Sequence, residues 1–302
     1  MVRMVKYSSK MKIAIFSHAA SAYGPRRFKE EAEKLGLKVY VADYSDIDVI
    51  IDRGGVRVYL WGELMPKMDL VIFRSAGGTF YYVPQRDYLL NCFDKQGATI
   101  LNKKTYKKWS RLDKFTQQMR LAQLGLPFVE SFLYGERQRL EKNMFYPAVV
   151  KSYFGSQGKR VFKVENKKQL DKLLEEFLPG NLLIEPVLPE GEDVRVIVLG
   201  GKAVGAMKRI APEGQFLTNY SAGGIVERFE LDERTRELAE KAARAFFLDY
   251  VGVDLMKDWH GKWRILEVNR ACQFEGFEKA TGINVAKKVV EYLISERRNA
   301  GR

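Results

Sequence analysis

The 302-residue chain has little cysteine and little histidine, two of each. Cys92 and Cys272 stand far apart with no Cys-x-x-Cys, which excludes a disulfide framework and a zinc ribbon. His18 and His260 are too few for a histidine-rich metal centre and argue against a Ser-His-Asp triad. No stretch approaches the roughly 18 consecutive apolar residues of a membrane span. No charged start followed by an apolar run and a small-residue cleavage site is present either. A soluble cytoplasmic protein without a membrane partner is therefore expected. The chain shows no internal repeat and no low-complexity linker.

What is present points to packed domains. Hydrophobic residues make up 46% and aromatics 12%, enough to exclude global disorder. The length suits about two domains of ordinary size. Lys and Arg number 51 against 38 Asp and Glu, a net charge of +13, which attracts polyanions. The densest cluster is Lys103, Lys104, Lys107, Lys108, Arg111 and Lys114, interleaved with Tyr106 and Trp109. Such a run reads either as a nucleic-acid surface or as a solvated helix face. No homeodomain, zinc-finger or RRM signature supports the first, so nucleic acid is disfavoured. An acidic small molecule or peptide fits the charge at least as well.

Residues 1–10 read as a leader ahead of the folded chain, with Met11 an alternative start. Apolar runs at 12–16, 39–42, 70–73 and 99–101, with a helix opened near Pro25 and ended by Gly36, predict a small parallel α/β unit over 11–104. A helix is expected over 110–124, with Ser110 as N-cap. Strands are expected at 148–151, 160–164 and 182–185, and an amphipathic helix at 168–177. Two hairpins are expected, 194–198 with 203–207 about Gly200-Gly201 and 251–256 with 262–268 about His260-Gly261. Helices are expected at 231–247 and 285–294.

Four constellations carry chemistry. Glu267 and Asn269 lie two apart on a strand and share a face, and Asp254 lies on the neighbouring strand. Together they make a hard-oxygen cation site or a polar solvent-facing surface. Lys151 ends a strand and leads to Gly155-Ser156-Gln157-Gly158, a loop that cradles phosphates or simply turns. It does not match GxxxxGK[ST]. Asp193 and Arg195 share a face, with Lys208 and Arg209 across the Gly-Gly turn; the plain alternative is a surface ion pair. Asn219 and Ser221 sit in a long loop of no periodicity. Arg74 follows a strand of the first unit, where open α/β sheets bind ligands.

The order of these motifs resembles that of an ATP-grasp ligase, and most of all the RimK-type family, which ligates glutamate or a related amino acid. The likeness is carried by "RLDKF" at 111–115, "PAVVKSYFGSQGKRVF" at 147–162, "EDVRVIVLGGKAVGAMKR" at 192–209, "FLTNYSAGG" at 216–224, "VGVDLM" at 251–256 and "LEVNRACQFEGFEKATGINVA" at 266–286. The resemblance implies an α/β and α+β fold: an N-terminal pre-ATP-grasp domain at 11–104, a central subdomain at 105–187 and a C-terminal subdomain at 188–296. It implies ATP and Mg²⁺, with Mn²⁺ an alternative ion, and an acyl phosphate on the way to an amide.

By the resemblance, Lys114, Lys151 and the 155–158 loop bind the ATP phosphates. Glu185, Val187 and Asp193 meet the base and ribose, and Pro186 offers no N–H there. Arg209, with Lys208 and Arg195, holds the transferred phosphoryl group. Asp254, Glu267 and Asn269 hold the metal. Asn219 and Ser221 face the phosphates or the amino acid, and Arg74 the acceptor's carboxylate. The expected partners are ATP, an amino acid and an acidic peptide, protein or small-molecule acceptor, with a homo-oligomer an option. A biosynthetic or cell-envelope precursor is an alternative acceptor. A non-catalytic polyanion- or ribosome-associated protein is the alternative of another class. One departure stands out: small residues and Pro-Gly usually follow the metal-binding asparagine, and here the run is Arg270-Ala271-Cys272-Gln273-Phe274. Cys272 reads as a small buried hydrophobe or as a reactive thiol.

Overall fold

A computed structural model describes residues 11–76, 81–152, 160–189, 191–212 and 224–300. The chain opens with β1 (Lys12–Phe16), α1 (Tyr23–Lys34) and β2 (Lys38–Ala42). α1 stops where Gly36 takes φ +80°. That turn lets Leu37 N–H bond the Ala32 carbonyl at 3.1 Å and Gly36 N–H bond the Glu33 carbonyl at 2.9 Å, so the last carbonyls are satisfied. A three-stranded antiparallel sheet follows, β3 (Ile47–Asp52), β4 (Gly55–Leu60) and β5 (Glu63–Leu64). Then come β6 (Leu70–Phe73), α2 (Val83–Lys95) and β7 (Thr99–Ile100).

The parallel sheet has the order β2-β1-β6-β7. After Lys12, its two central strands are apolar because both faces are covered. Ile13, Ile15, Leu70 and Ile72 pack with Phe28 and Ala32 of α1, while Ala14, Phe16, Val71 and Phe73 pack with Leu89 and Phe93 of α2.

Two short helices follow, α3 (Lys103–Lys108) and α4 (Lys114–Gln123). The single helix expected over 110–124 does not form. Trp109 is extended, at φ −132° and ψ 96°, and ends α3. The N-cap of α4 is Asp113 rather than Ser110, because Asp113 accepts both the Thr116 N–H at 2.8 Å and the Thr116 hydroxyl at 2.7 Å. The basic run is therefore divided between two helices. Lys103 and Lys107 both pair with Asp94, and the Lys108 ammonium lies 5.0 Å from the Phe247 ring centroid.

A second antiparallel sheet is built from β8 (Phe132–Leu133), α5 (Arg137–Asn143), β9 (Ala148–Ser152), β10 (Val161–Val164), α6 (Lys167–Glu176) and β11 (Leu182–Pro186), in the order β10-β9-β11-β8. Ala148, Val150, Leu182 and Ile184 pack with Leu140 of α5 and Leu170 and Leu173 of α6. Strand alternation then places Lys151 and Glu185 on the opposite face.

The last region holds β12 (Glu192–Leu199), β13 (Lys202–Ile210), β14 (Ile225–Phe229), α7 (Glu233–Ala245), β15 (Tyr250–Lys257), β16 (Trp263–Asn269), α8 (Glu275–Thr281) and α9 (Val285–Asn299). Its antiparallel sheet has the order β14-β13-β12-β15-β16, which leaves β16 at an edge. Val194, Val196, Val251 and Val253 pack under Leu238, Ala239 and Ala242 of α7 and Leu121 of α4. On the other face Ile197 and Met207 share one core with Phe277, Val285 and Val289, and with Ile13, Ile72 and Phe28 of the first unit. Among the described residues no helix is long and apolar enough to cross a membrane.

Candidate active site

Cross-strand register gathers the site on one face of the five-stranded sheet. Asp193 lies opposite Arg209, Arg195 opposite Asp254, Asp254 opposite Glu267, and Gly252 opposite Asn269. Directly opposed residues of antiparallel strands project to the same side. The Arg195 guanidinium grips Asp254 through Nε and Nη2, both at 2.7 Å. Arg209 grips Asp193 in the same two-pronged way at 2.6 Å, and its Nη2 lies 2.9 Å from Asp254 Oδ2.

Asp193, Arg195, Arg209 and Asp254 are all buried. The exposed ion pair weighed for Asp193 and Arg195 is thus replaced by two buried pairs with other partners. Such charges are tolerable inside only when paired. Burial would push the Asp254 carboxyl up, but Arg195 and Arg209 hold it below the usual carboxylate range. Burial likewise works against the charge on Arg195, which Asp254 more than restores, raising its affinity for its proton.

Glu267 is half-buried and makes no hydrogen bond or ion pair among the described residues. Three carboxylates face two guanidinium groups, and the excess negative charge rests on Glu267. The Asn269 Oδ1 accepts the Ala271 N–H at 3.2 Å. Two carboxylates and a carboxamide oxygen suit Mg²⁺, which completes its shell with phosphate oxygens and water. Among the described residues no three His, Cys, Asp or Glu side chains are placed to hold a metal ion by themselves.

A bulge shapes this edge. Asp254 pairs with Glu267 but Leu255 pairs with Ile265, leaving Leu266 as an extra residue. Ile265 can then stay in the core beside Leu255 while Glu267, two positions on, turns to the other face. Two α4 residues that the sequence reading missed hold the bulged edge. Gln118 Nε2 donates to the Leu266 carbonyl at 2.9 Å and its Oε1 accepts the Val129 N–H at 2.9 Å; Gln117 Oε1 accepts the Val268 N–H at 2.7 Å. A buried Gln-Gln pair on a helix was the available signal.

On the second sheet Lys151 Nζ donates to Glu185 Oε2 at 2.5 Å, and the Ser131 hydroxyl donates to Oε1 at 3.4 Å. The Val187 carbonyl accepts the indole N–H of Trp259 at 2.9 Å, from the turn between β15 and β16. Lys114 is the first residue of α4. Lys208 does not join Arg209: neighbouring residues on a strand point to opposite faces, and Lys208 pairs with Glu192 at 3.0 Å. Asp193, expected beside a ribose, accepts both bonds of the Arg209 fork. Gly155, Ser156, Gln157, Gly158, Asn219 and Ser221 lie outside the described residues.

Arg74 is buried, with its guanidinium 5.6 Å from the ring centroids of both Phe28 and Phe274. Its Nη2 donates to the Cys272 carbonyl at 2.8 Å, while Arg195 Nη1 reaches the Gln273 carbonyl at 3.3 Å. The loop after β16 is thus threaded between the first unit and the carboxylate cluster. Gly252 allows this approach, since a Cβ there would lie 2.8 Å from the Cβ of Cys272. Cys272 is fully buried and burial pushes its thiol up, so it is an inert hydrophobe rather than a reactive group.

Residues 112–293 match the family described as RimK-like ATP-grasp domain, and residues 11–104 match RimK PreATP-grasp domain. The chain belongs to the RimK-like ATP-grasp family. It is an ATP-dependent ligase that joins an acid to an amine. "Probable alpha-L-glutamate ligase 1" of Shewanella frigidimarina is 33% identical to it, over 94% of this chain and 95% of that one. "Probable alpha-L-glutamate ligase" of Nitrosococcus oceani is 35% identical over the same shares. Among solved structures, the ATP-grasp ligase PsnB complexed with a phosphomimetic variant of its minimal precursor, Mg and ADP superposes with a TM-score of 0.70. That match has 19% identity and covers 95% of this chain and 98% of that one. It shows the shared fold.

Proposed function

We propose that this RimK-like ligase adds glutamate, or another acidic amino acid, to a peptide, protein or small acidic acceptor. The proposed metal site is the Asp254–Glu267–Asn269 end of the large sheet, taking Mg²⁺ or Mn²⁺. The supporting observation is Glu267, without a partner among the described residues, directly opposite a buried Asp254 that two arginines hold ionised. The relatives' names support glutamate.

The reaction has two steps. An oxygen of the acceptor carboxylate bonds to the γ-phosphorus of ATP and ADP leaves. The amine nitrogen then bonds to the acyl carbon, phosphate leaves, and the nitrogen gives up a proton. Neither step needs a protein nucleophile, because phosphoryl transfer depends on alignment and charge neutralisation. A bound divalent ion supplies charge neutralisation at the phosphates.

The chain's own part is to hold cations and donors in place. Arg209 and Arg195 are fixed by Asp193 and Asp254 and present their remaining N–H groups to the phosphoryl group. Lys151, steadied by Glu185, and Lys114 at the start of α4 face the phosphates. Val187 lines the base end beside Trp259. Arg74 acts by positioning the 270–274 loop. We take 11–104, 105–187 and 188–296 as the working units, and the cytoplasm, suited to the free thiols of Cys92 and Cys272, as the compartment.

The test is ADP release from ATP and Mg²⁺ with each amino acid in turn, beside the double variant Asp254→Ala/Glu267→Ala. Release that depends on glutamate and is lost in the variant is expected. A chain that binds no ATP overturns the reading.

A further inference from the structure

On the far side of the loop that leaves β16, two arginines converge without enough acid to balance them. Arg270 directly follows Asn269. Its Nη1 donates to the Trp109 carbonyl at 2.6 Å and its Nη2 to the Ser110 carbonyl at 2.7 Å. Arg86 of α2 reaches the same Ser110 carbonyl through its Nη2 at 2.5 Å. Both guanidinium groups lie against one ring, 4.3 Å and 4.7 Å from the centroid of Tyr106.

Asp87 is the acid at this place, and it bonds Arg86 through Nε and Nη2 at 3.1 Å and 2.7 Å. No carboxylate pairs with Arg270 among the described residues. Arg270 is half-buried, and its hydrogen-bond partners among the described residues are backbone carbonyls rather than a counter-charge.

Donors remain. Arg270 keeps its Nε–H and one N–H on each Nη, and Arg86 keeps both N–H groups of Nη1. Tyr44 adds an independent observation. It is fully buried, its hydroxyl has no partner among the described residues, and after burial itself the strongest electrostatic influences on it are those of Tyr106, Arg86 and Arg270. A buried hydroxyl left unbonded is costly unless a ligand meets it. Tyr106 donates its hydroxyl to the carbonyl of Phe73, the last residue of β6, at 3.2 Å, and Tyr44 stacks 6.4 Å from Phe16, the last residue of β1, so the group lies at the strand ends where open parallel sheets bind ligands.

We propose that Arg270, Arg86 and the Tyr44 hydroxyl form a receptor for a substrate carboxylate, next to the metal-binding strand but on the side of the first unit. This rests on the ligase reading, which supplies substrates with such a group. A guanidinium fork matches a planar carboxylate in two parallel hydrogen bonds, and the Trp109 and Ser110 carbonyls set the plane of the fork. The carboxylate belongs either to the incoming amino acid or to the acceptor, and the test separates the two.

The full-length chain, loaded with Mg²⁺ and ADP, is titrated by calorimetry. L-glutamate against L-glutamine probes the incoming amino acid. The dipeptide Glu-Glu against its fully amidated form probes the acceptor. Wild type is expected to bind at least one acid about tenfold or more tightly than its amide. Arg270→Gln is expected to weaken that acid by about ten- to a hundredfold while still binding Mg·ADP, and Arg270→Lys to weaken it less. The acid that weakens names the source. Equal binding of both acids by wild type and Arg270→Gln overturns the proposal, as does wild type that binds neither acid. The acids are also titrated against the nucleotide-free chain. Absence of Mg·ADP binding then counts against the ligase reading, and acid binding still decides the receptor.

Discussion

Replacing Asp254 by Asn removes the negative charge that two buried guanidinium groups share. Arg195 loses its two-pronged partner at 2.7 Å and Arg209 loses its contact at 2.9 Å, while both stay buried. Breaking a buried pair from one side costs about 3–5 kcal/mol, because the remaining charge is uncompensated. Arg209 keeps Asp193, so the penalty falls mainly on Arg195. A loss of that size lowers the melting temperature by roughly 5–8 °C in a chain this long. Thermal and urea unfolding without metal or nucleotide would measure it.

The double variant Asp254→Asn/Arg195→Met should recover part of the loss, since it removes the stranded charge as well. The pH dependence has a definite sign. The folded carboxyl of Asp254 is depressed below its unfolded value of about 3.9, so its contribution is complete above that value and disappears as pH falls through the folded one. The gap between wild type and Asp254→Asn should therefore be full at neutral pH and narrow below about pH 4. A single variant as stable as wild type, or a double variant that loses the sum of both single losses, would refute the buried-network account.

Two further outcomes follow from the same geometry. Glu267→Gln should leave the unfolding free energy within about 1 kcal/mol of wild type, because the carboxylate has no partner to lose among the described residues, yet weaken Mg²⁺-dependent ADP binding tenfold or more; unchanged binding would remove Glu267 from the metal site. Gln118→Leu should cost about 2–4 kcal/mol in urea unfolding, because it orphans the Val129 N–H and the Leu266 carbonyl, and it should also weaken Mg·ADP by loosening the bulge; a fully stable variant would show that water replaces the amide.

Much of the site was legible as spacing. Glu-x-Asn on a strand puts both side chains on one face, and the His260-Gly261 turn announces the hairpin that brings Asp254 alongside. Other parts needed register. Lys208 and Arg209 are equivalent in composition, and the pairing of β13 with β12 decides that Arg209 turns inward. Ile265 and Glu267 would share a face in a regular strand, and the extra Leu266 separates them. Asp113 rather than Ser110 starts α4 because its carboxylate finds two donors on Thr116. The sheet formed by β3, β4 and β5 escaped notice because Ile50, Ile51 and Val56 are exposed, which blurs the alternation. α2 escaped because Arg86 is buried on it beside Tyr106.

By itself the sequence determined what depends on neighbours along the chain: helix ends at glycine, hairpins at Gly-Gly and His-Gly, and an ordered set of basic, glycine and acidic motifs that marks an ATP-grasp ligase. Tertiary structure alone decided which charges meet. Arg209 grips Asp193, Arg195 grips Asp254, Arg74 reaches the 272 carbonyl, and Arg270 joins Arg86 over Tyr106. Those partners are distant in sequence or set by strand register, and burial makes the two Arg–Asp pairings obligatory, since a charge removed from water must find its counterpart in space.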